Sequence, residues 1–326
     1  MTREMSAAVI YEPGGPAVLK LECRPIPEPI DGEVLIRVRA FGLNRSELFT
    51  RQGHSPNVAF PRILGIEAVG EVAAAPGGEF AEGVIVATAM GGLGRQFDGS
   101  YAEFTMVPAH HVQKLDTTLD WQVLGAIPEM LQTAWGALFR SLKLERDDTL
   151  LIRGGTTSVG LAAAAIAKRH GATVAATTRK PESETMLRDN GADRVFIDDG
   201  EIAEDVREVF PCGVSKVLEL VGTTTLKDSL KATRSGGVVS MTGMVGNSWS
   251  FDEFSPMAVI PTAVNLTTYS GGADDFMRTP LQELVRDIEL GILKPKIGKV
   301  FNLNEIVEAH RTMENNNAGG KIVVLT

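Results

Sequence analysis

Cysteine is almost missing from this chain: two in 326 residues, Cys23 and Cys212, far apart in sequence. Two such residues make no disulfide framework. Long hydrophobic runs are missing as well. The longest, Val159 to Ala167, is interrupted by Gly160 and falls far short of the roughly 20 residues that a membrane span needs. The start, MTREMSAAVIYEPGG, is charged at Arg3 and Glu4 and has no apolar core for a signal peptide. Basic residues are short: 32 Lys plus Arg stand against 41 Asp plus Glu, a formal net charge of −9, with no long Lys/Arg block. That balance argues against nucleic-acid backbones and anionic membrane surfaces as partners. The expectation is a soluble, cytoplasmic protein whose partner is a small molecule.

What is present is ordinary globular material. Hydrophobic residues make up 44% and charged residues 22%, which excludes disorder and coiled coil, and the length points to two domains, with one large domain as the alternative. The first ~115 residues read as β-rich. Runs such as Ala7–Tyr11, Glu33–Ala40, Ala68–Ala75, Val84–Ala89 and Ala102–Val107 are separated by Gly/Pro clusters, with one helix, Arg45–Gln52, after Asn44. From about Asp120 the texture changes. Trp121–Leu142 reads as a helix broken near Pro128, and strands then alternate with helices from Leu150 to Met241. Continuous apolar strands alternating with helices imply an α/β architecture with a parallel sheet covered on both faces. After Val264–Tyr269 and a helix at Leu281–Leu290, the chain resumes its opening texture and ends on a strand, Gly320–Leu325.

The strongest local signal is LLIRGGTTSVGLAAAAIAKRHGATVAATTRK, Leu150 to Lys180, a strand, glycine turn, helix and second strand. In a dinucleotide-binding turn the first Gly allows the bend, the second close approach of backbone to pyrophosphate, and the third packing of helix on strand. Here the three places are Gly155, Thr157 and Gly160, so the middle glycine is missing. The free N–H groups of the helix start, Val159 among them, still offer an anion site, and the hydroxyls of Thr156, Thr157 and Ser158 add donors. A tight turn with no ligand is the alternative. NAD binders place an acid about 20 residues beyond the turn. Arg179 stands there instead, 19 residues after Gly160, between Thr178 and Lys180. An acid repels a 2′-phosphate, whereas Arg and Lys pair with it, which favours NADPH; a solvated basic pair opening the next helix is the bland reading.

The segments GEVLIRVRAFGLNRSEL (Gly32–Leu48), FPRILGIEAVGEV (Phe60–Val72), DGSYAEFTMVP (Asp98–Pro108) and QTAWGAL (Gln132–Leu138) come in order. They are followed by GGTTSVG, ELVG (Glu219–Gly222), SGGVVSMTGMVG (Ser235–Gly246) and the ending GGKIVVL. In this order and at these separations the chain resembles the zinc-independent quinone oxidoreductase branch of the medium-chain dehydrogenase/reductase superfamily over nearly its whole length. The resemblance implies a GroES-like β-barrel split in sequence (residues 1–119 and 291–326), with an inserted Rossmann domain, a doubly wound parallel sheet (120–290). It also implies an active site in the cleft between them, and a homodimer joined edge to edge through the strand at Val264–Tyr269.

Zinc-dependent members of the superfamily hold catalytic metal with a Cys near Gly42–Asn44, a His in Gly-His-Glu, and a later Cys or acid. Here the motif is Gly65-Ile66-Glu67, the earlier stretch FGLNRSEL has no Cys, and the four-cysteine lobe is absent. Zinc takes about four N, S or O ligands, and two cysteines with five scattered histidines supply no such set. No metal is expected.

By resemblance, Asn44 is an active-site residue near the nicotinamide end of the cofactor, although it also reads as an N-cap; both roles can hold. Thr133 in QTAW and the turn Gly243, Met244 and Val245 fall at cofactor positions, against bland readings as a helix-surface residue and an ordinary glycine turn. Phe49 replaces the Tyr of many quinone reductases and, with Ile66, is assigned to the substrate pocket. His54, in RQGHSP, is the nearest titratable candidate for a proton donor; the reading favours water as the donor and a solvent-exposed histidine. The function expected is an NADPH-dependent oxidoreductase passing hydride to a quinone or α,β-unsaturated carbonyl. An alcohol or aldehyde dehydrogenase-like reductase is one alternative, and a non-catalytic NADPH-binding redox sensor or structural protein is the other.

Overall fold

The computed structural model describes residues 3–326. The chain opens with β1 (Glu4–Ile10), β2 (Lys20–Pro25), β3 (Glu33–Gly42) and a short helix α1 (Arg45–Arg51). Strands β4 (Arg62–Ile63), β5 (Glu67–Ala74), β6 (Ile85–Ala89), β7 (Phe104–Pro108) and β8 (Val112–Lys114) follow, then α2 (Trp121–Leu124) and α3 (Pro128–Gly136). An alternating series comes next: β9 (Thr149–Arg153), α4 (Ser158–His170), β10 (Thr173–Thr178), α5 (Glu184–Asp189), β11 (Arg194–Ile197), α6 (Ala203–Val209), β12 (Val214–Glu219), α7 (Thr223–Ala232) and β13 (Thr233–Met241). The chain closes through α8 (Pro256–Val259), β14 (Asn265–Thr268), α9 (Ala273–Arg278), α10 (Leu281–Glu289), β15 (Ile297–Asn302), α11 (Ile306–Glu314) and β16 (Lys321–Leu325).

Two compact units emerge. One holds the chain up to Gln132, Gly271–Glu289 and Pro295–Thr326; the other holds Thr133–Ser270 and Leu290–Lys294. In the first, β15-β16-β3-β5-β6-β8 form one sheet, β7 pairs with β3, and β2-β1-β4 form a smaller one. Its core gathers Phe41, Leu48, Leu64, Tyr101, Ile306 and Val324, with a second cluster around Val34, Ile36, Val86 and Leu93. In the second unit the order is β11-β10-β9-β12-β13-β14, every pairing parallel. The order reverses between β9 and β12, so the carboxyl ends of those strands frame the crevice where such sheets take ligands. Leu151, Ala175, Val206, Val217, Leu226 and Val239 fill its core.

The compact units differ from the expected ranges. Residues 120–132 and 271–289 cluster with the first unit rather than the second, because α2 packs on β3 and β16, and α9 packs on β6. The expected helix Trp121–Leu142 is three pieces, α2, α3 and a π-turn at Ala137–Ser141. Pro128 opens α3, where its missing N–H costs nothing. β2 escaped the reading of the sequence because KLECRP puts Lys20, Glu22 and Arg24 at alternate positions and buries no residue. α9 escaped it too; ADDFMR is short and polar, held by Phe276, which is wholly buried, and by the Asp275 carboxylate accepting from the Gly272 N–H at 3.3 Å.

Candidate functional site

In the second unit β9 turns through Gly154–Thr157 into α4. Thr157, extended at φ −71° and ψ 158°, is the N-cap: its Oγ1 accepts from the Gly160 N–H at 3.0 Å and donates to the Gly154 carbonyl at 2.9 Å. The hydroxyl has one proton, so in this arrangement Thr157 is a cap and not the additional anion donor expected. A Cβ on Gly155 would stand 2.9 Å from Ala176 Cβ, and one on Gly160 2.7 Å from the Gly154 carbonyl oxygen. Both glycines therefore serve close packing of helix on strand. Ser158 and Val159 lie in the first turn of the helix, where N–H groups have no intrahelical acceptor, and both are half-buried beside the exposed Thr156. The positive N-terminal end of the α4 dipole faces the glycine turn, and the basic residues of the helix sit in its last turn.

At the end of β10, Thr178 is buried and its Oγ1 donates to the Lys180 carbonyl at 3.2 Å while accepting from the Lys180 N–H at 3.1 Å. This local loop presents Arg179 and Lys180 to solvent, both exposed and neither in an ion pair among the described residues. After β13, the Gly243 N–H donates to the Glu219 carbonyl at 3.1 Å and the Val245 N–H to that of Leu220 at 3.2 Å. A Cβ on Gly243 would stand 2.6 Å from the Leu220 carbonyl oxygen, so the turn is built for glycine. Gly243, Met244, Val245 and Thr133 are all half-buried.

In the first unit Asn44 is 8% exposed and sits within a cluster that the sequence did not reveal. Its Nδ2 donates to Glu67 Oε1 at 2.9 Å and to Glu47 Oε1 at 3.3 Å, and its Oδ1 accepts from the Lys321 ammonium. Both amide protons are thus committed, which leaves one lone pair of Oδ1 as the spare capacity of this side chain. Asn44 also stands as the N-cap residue of α1, its own N–H donating to Glu47 Oε2 at 3.1 Å and its backbone carbonyl accepting from the Glu47 N–H at 3.1 Å. Glu67 further accepts from Lys321 at 3.0 Å and from the Glu129 N–H at 2.8 Å, while Lys321 lies 3.7 Å from the Glu129 carboxylate. Burial pushes Glu47 up to about 8, the neighbouring Glu67 adds to the shift, and Lys321 opposes it. Burial works against the Lys321 charge, but Glu67, Glu129 and Glu47 outweigh it and raise its pKa.

Ile66 is buried, and its N–H donates to Glu47 Oε1 at 3.3 Å. Phe49 is half-buried against the core of this unit, and His54 is exposed on the turn after α1. A second buried network lies near by. Arg51, wholly buried, donates from Nε to His310 Nδ1 at 3.2 Å and pairs with Glu314, while His310 Nε2 stands 3.0 Å from the Tyr101 hydroxyl. Burial, and then the Arg51 charge, drive His310 down to about 3. One signal could have found some of the buried charges: Glu67, Arg153 and Lys321 adjoin apolar strand runs, where only a partner makes burial of a charge tolerable.

The residues suit a dinucleotide. The glycine cradle, the first-turn amides and the exposed basic pair are the parts its phosphates require. They do not suit catalytic zinc. Two carboxylates, Glu67 and Glu129, already face an ammonium, Ile66 offers no ligand atom, and among the described residues no group of three or more His, Cys, Asp or Glu could hold a metal ion.

Residues 30–117 match the alcohol dehydrogenase GroES-like domain, and residues 190–324 match the zinc-binding dehydrogenase family. The quinone oxidoreductase of Homo sapiens is 31% identical over 335 residues, covering 98% of each chain. Among solved structures, an NAD-dependent alcohol dehydrogenase superposes with a TM-score of 0.88 at 28% identity, covering 99% of this chain and 100% of that one. A mycobacterial protein solved in complex with NADPH reaches 0.87 at 28% identity with the same coverage. With the fold and glycine turn described above, these likenesses show that the chain belongs to the quinone oxidoreductase branch of the medium-chain dehydrogenase/reductase superfamily and is an oxidoreductase.

Proposed function

We propose that the protein is an NADPH-dependent reductase acting on a quinone or an α,β-unsaturated carbonyl, without zinc. The observation that carries this reading is the exposed Arg179–Lys180 pair at the end of β10, where an NAD binder has an acid. Bound NADPH supplies a hydride. The chain's own part is positioning. The amides of Ser158 and Val159 hold the pyrophosphate, Gly155 and Gly160 let helix and strand close around it, and Arg179 and Lys180 pair with the 2′-phosphate. Thr133 and Gly243–Val245 are assigned to the nicotinamide end, with Asn44 the candidate catalytic residue, using the spare lone pair of Oδ1. Phe49 and Ile66 give the substrate an apolar wall that excludes water. A quinone or enone is electrophilic without a Lewis acid, which matches a site whose local cation is an ammonium already shared among carboxylates.

The proton that completes the reduction comes from water in this reading. His54 is exposed, so His54→Ala keeps quinone turnover within about tenfold, whereas a positioned acid is typically worth 10²–10⁴-fold. A cytoplasmic setting belongs to the proposal and is supported by the unpaired, exposed Cys23 and Cys212.

The test is consumption of NADPH or NADH with 1,2-naphthoquinone, 9,10-phenanthrenequinone, an enone and a simple aldehyde, before and after chelator treatment. The expected result is chelator-insensitive oxidation of NADPH by quinone or enone. The likeness to an NAD-dependent alcohol dehydrogenase favours a second reading, in which NADH and the aldehyde are the better pair. Binding of NADPH with no turnover of any acceptor would point to a sensor or structural protein.

A further inference from the structure

Arg153, the last residue of β9, is wholly buried directly before the glycine turn. All five of its N–H donors are engaged. Nε and Nη2 hold the Asp198 carboxylate in a fork at 2.8 Å each, Nη2 also reaches the Gly200 carbonyl at 2.9 Å, and Nη1 bonds Asp228 and, at 3.5 Å, Ser229. Asp198 Oδ2 in turn accepts from Thr177 Oγ1 at 3.1 Å, and Thr177 Oγ1 itself accepts from the Gly154 N–H at 3.1 Å. Gly154 starts the turn at φ +84°, and its carbonyl carries the Thr157 cap. The Gly155 N–H donates to the Thr177 carbonyl at 3.1 Å. Asp228 meanwhile accepts from the Ile202 and Ala203 N–H groups at the start of α6, and Ser229 donates to Glu219, whose carboxylate accepts from Val221 and Gly222. One buried guanidinium thus ties together the carboxyl ends of β9, β10, β11 and β12.

Arg153 is the obvious cation beside the turn, yet it has no donor left for a phosphate. Its charge is met by Asp198 and Asp228. We infer that the line Arg153–Asp198–Thr177 is a positioning device: it fixes Gly154 from outside, so that the first-turn amides of α4 face the cofactor pyrophosphate in a preset geometry. The inference rests on the cofactor reading above. Preset donors bind an anion without the cost of reorganising, and a small displacement forfeits much of the gain. Thr177 is the link to test, since its hydroxyl hydrogen-bonds both the buried ion pair and the first residue of the turn.

The experiment compares wild type, Thr177→Val and Thr177→Ser by fluorescence titration with NADPH, by competition with 2′-AMP, and by melting of the nucleotide-free protein. 2′-AMP carries the adenosine 2′-phosphate and no pyrophosphate. Thr177→Val is expected to weaken NADPH at least about tenfold, leave 2′-AMP unchanged, and lower the melting temperature by only a few degrees. Thr177→Ser is expected to restore binding, since it keeps the hydroxyl. Equal losses for NADPH and 2′-AMP, or NADPH binding unchanged in Thr177→Val, would overturn the inference. Should Thr177→Val fail to fold, Thr177→Ala is read by the same criteria. Wild type that binds neither NADPH nor NADH would instead defeat the cofactor reading itself, and the positioning role with it.

Discussion

Arg179 and Glu47 show how differently a single charge acts on the surface and in the interior. Arg179 is exposed at the end of β10, so its removal costs the fold little and, on the proposed NADPH reading, weakens the hold on a 2′-phosphate. Arg179→Ala is expected to raise the Michaelis constant for NADPH roughly tenfold to a hundredfold and to leave that for NADH almost unchanged; equal losses would make Arg179 a support of the fold. Glu47 is buried among Asn44, Ile66 and Glu67, which lifts its pKa to about 8. Its folded value lies above its ordinary one of 4.5, so its contribution to stability is complete below 4.5 and drains away as pH rises through about 8. His310 runs the other way: its folded value near 3 lies below the ordinary 6.5, so its contribution is complete above 6.5 and is lost as pH falls toward 3. Together they are expected to produce a stability dome. Glu47→Gln mimics the neutral acid and is expected to flatten the alkaline side, by a difference on the order of a few kcal/mol between pH 5 and 9 in denaturant titrations.

Between elements, buried charges join what local sequence leaves separate. Lys321 of β16 reaches the Asn44 amide ahead of α1, Glu67 of β5 and Glu129 of α3. Removing the ammonium leaves Glu67, wholly buried, without its ion-pair partner, and breaking a buried pair from one side typically costs about 3–5 kcal/mol. Lys321→Met is therefore expected to destabilise by that order, read in urea unfolding. A change below about 1 kcal/mol would mean that the carboxylate regains water or takes up a proton. Lys321→Arg is not a repair, because a wider planar head does not fit where a Cβ at Gly42 would already meet Lys321 Cε at 2.4 Å.

At the scale of the whole molecule, the six-stranded sheet ends on β14, which among the described residues pairs with β13 alone. An edge strand carries unpaired N–H and C=O groups and invites another strand, and Leu266 and Thr267 are only half-buried there. The homodimer that the resemblance implies through this edge would continue the sheet across a two-fold axis, residue against residue. Light scattering at micromolar concentration is expected to give twice the chain mass, and Leu266→Lys is expected to shift it toward monomer. Monomer in the wild type would overturn the dimer. Among the described residues, no helix is long and apolar enough to cross a membrane.

The sequence by itself determined whatever depends on neighbours in the chain. Alternation between Leu150 and Met241 foretold the parallel sheet, because two-residue and near-four-residue periods are local properties. Gly155 and Gly160, the start of α4 and the basic pair at Arg179 were legible for the same reason: turn, helix start and strand end lie within 30 residues. β2 and α9 were not, since charge at alternate positions hides an exposed strand and a six-residue helix has too few turns to show a period. Only the tertiary structure decided which charges are buried together. Asn44 and Lys321 stand 277 positions apart, and Arg153 meets Asp198 and Asp228 across 45 and 75. A buried charge persists only where the fold delivers its partner, and no pattern in the local chain specifies which distant strand will bring it.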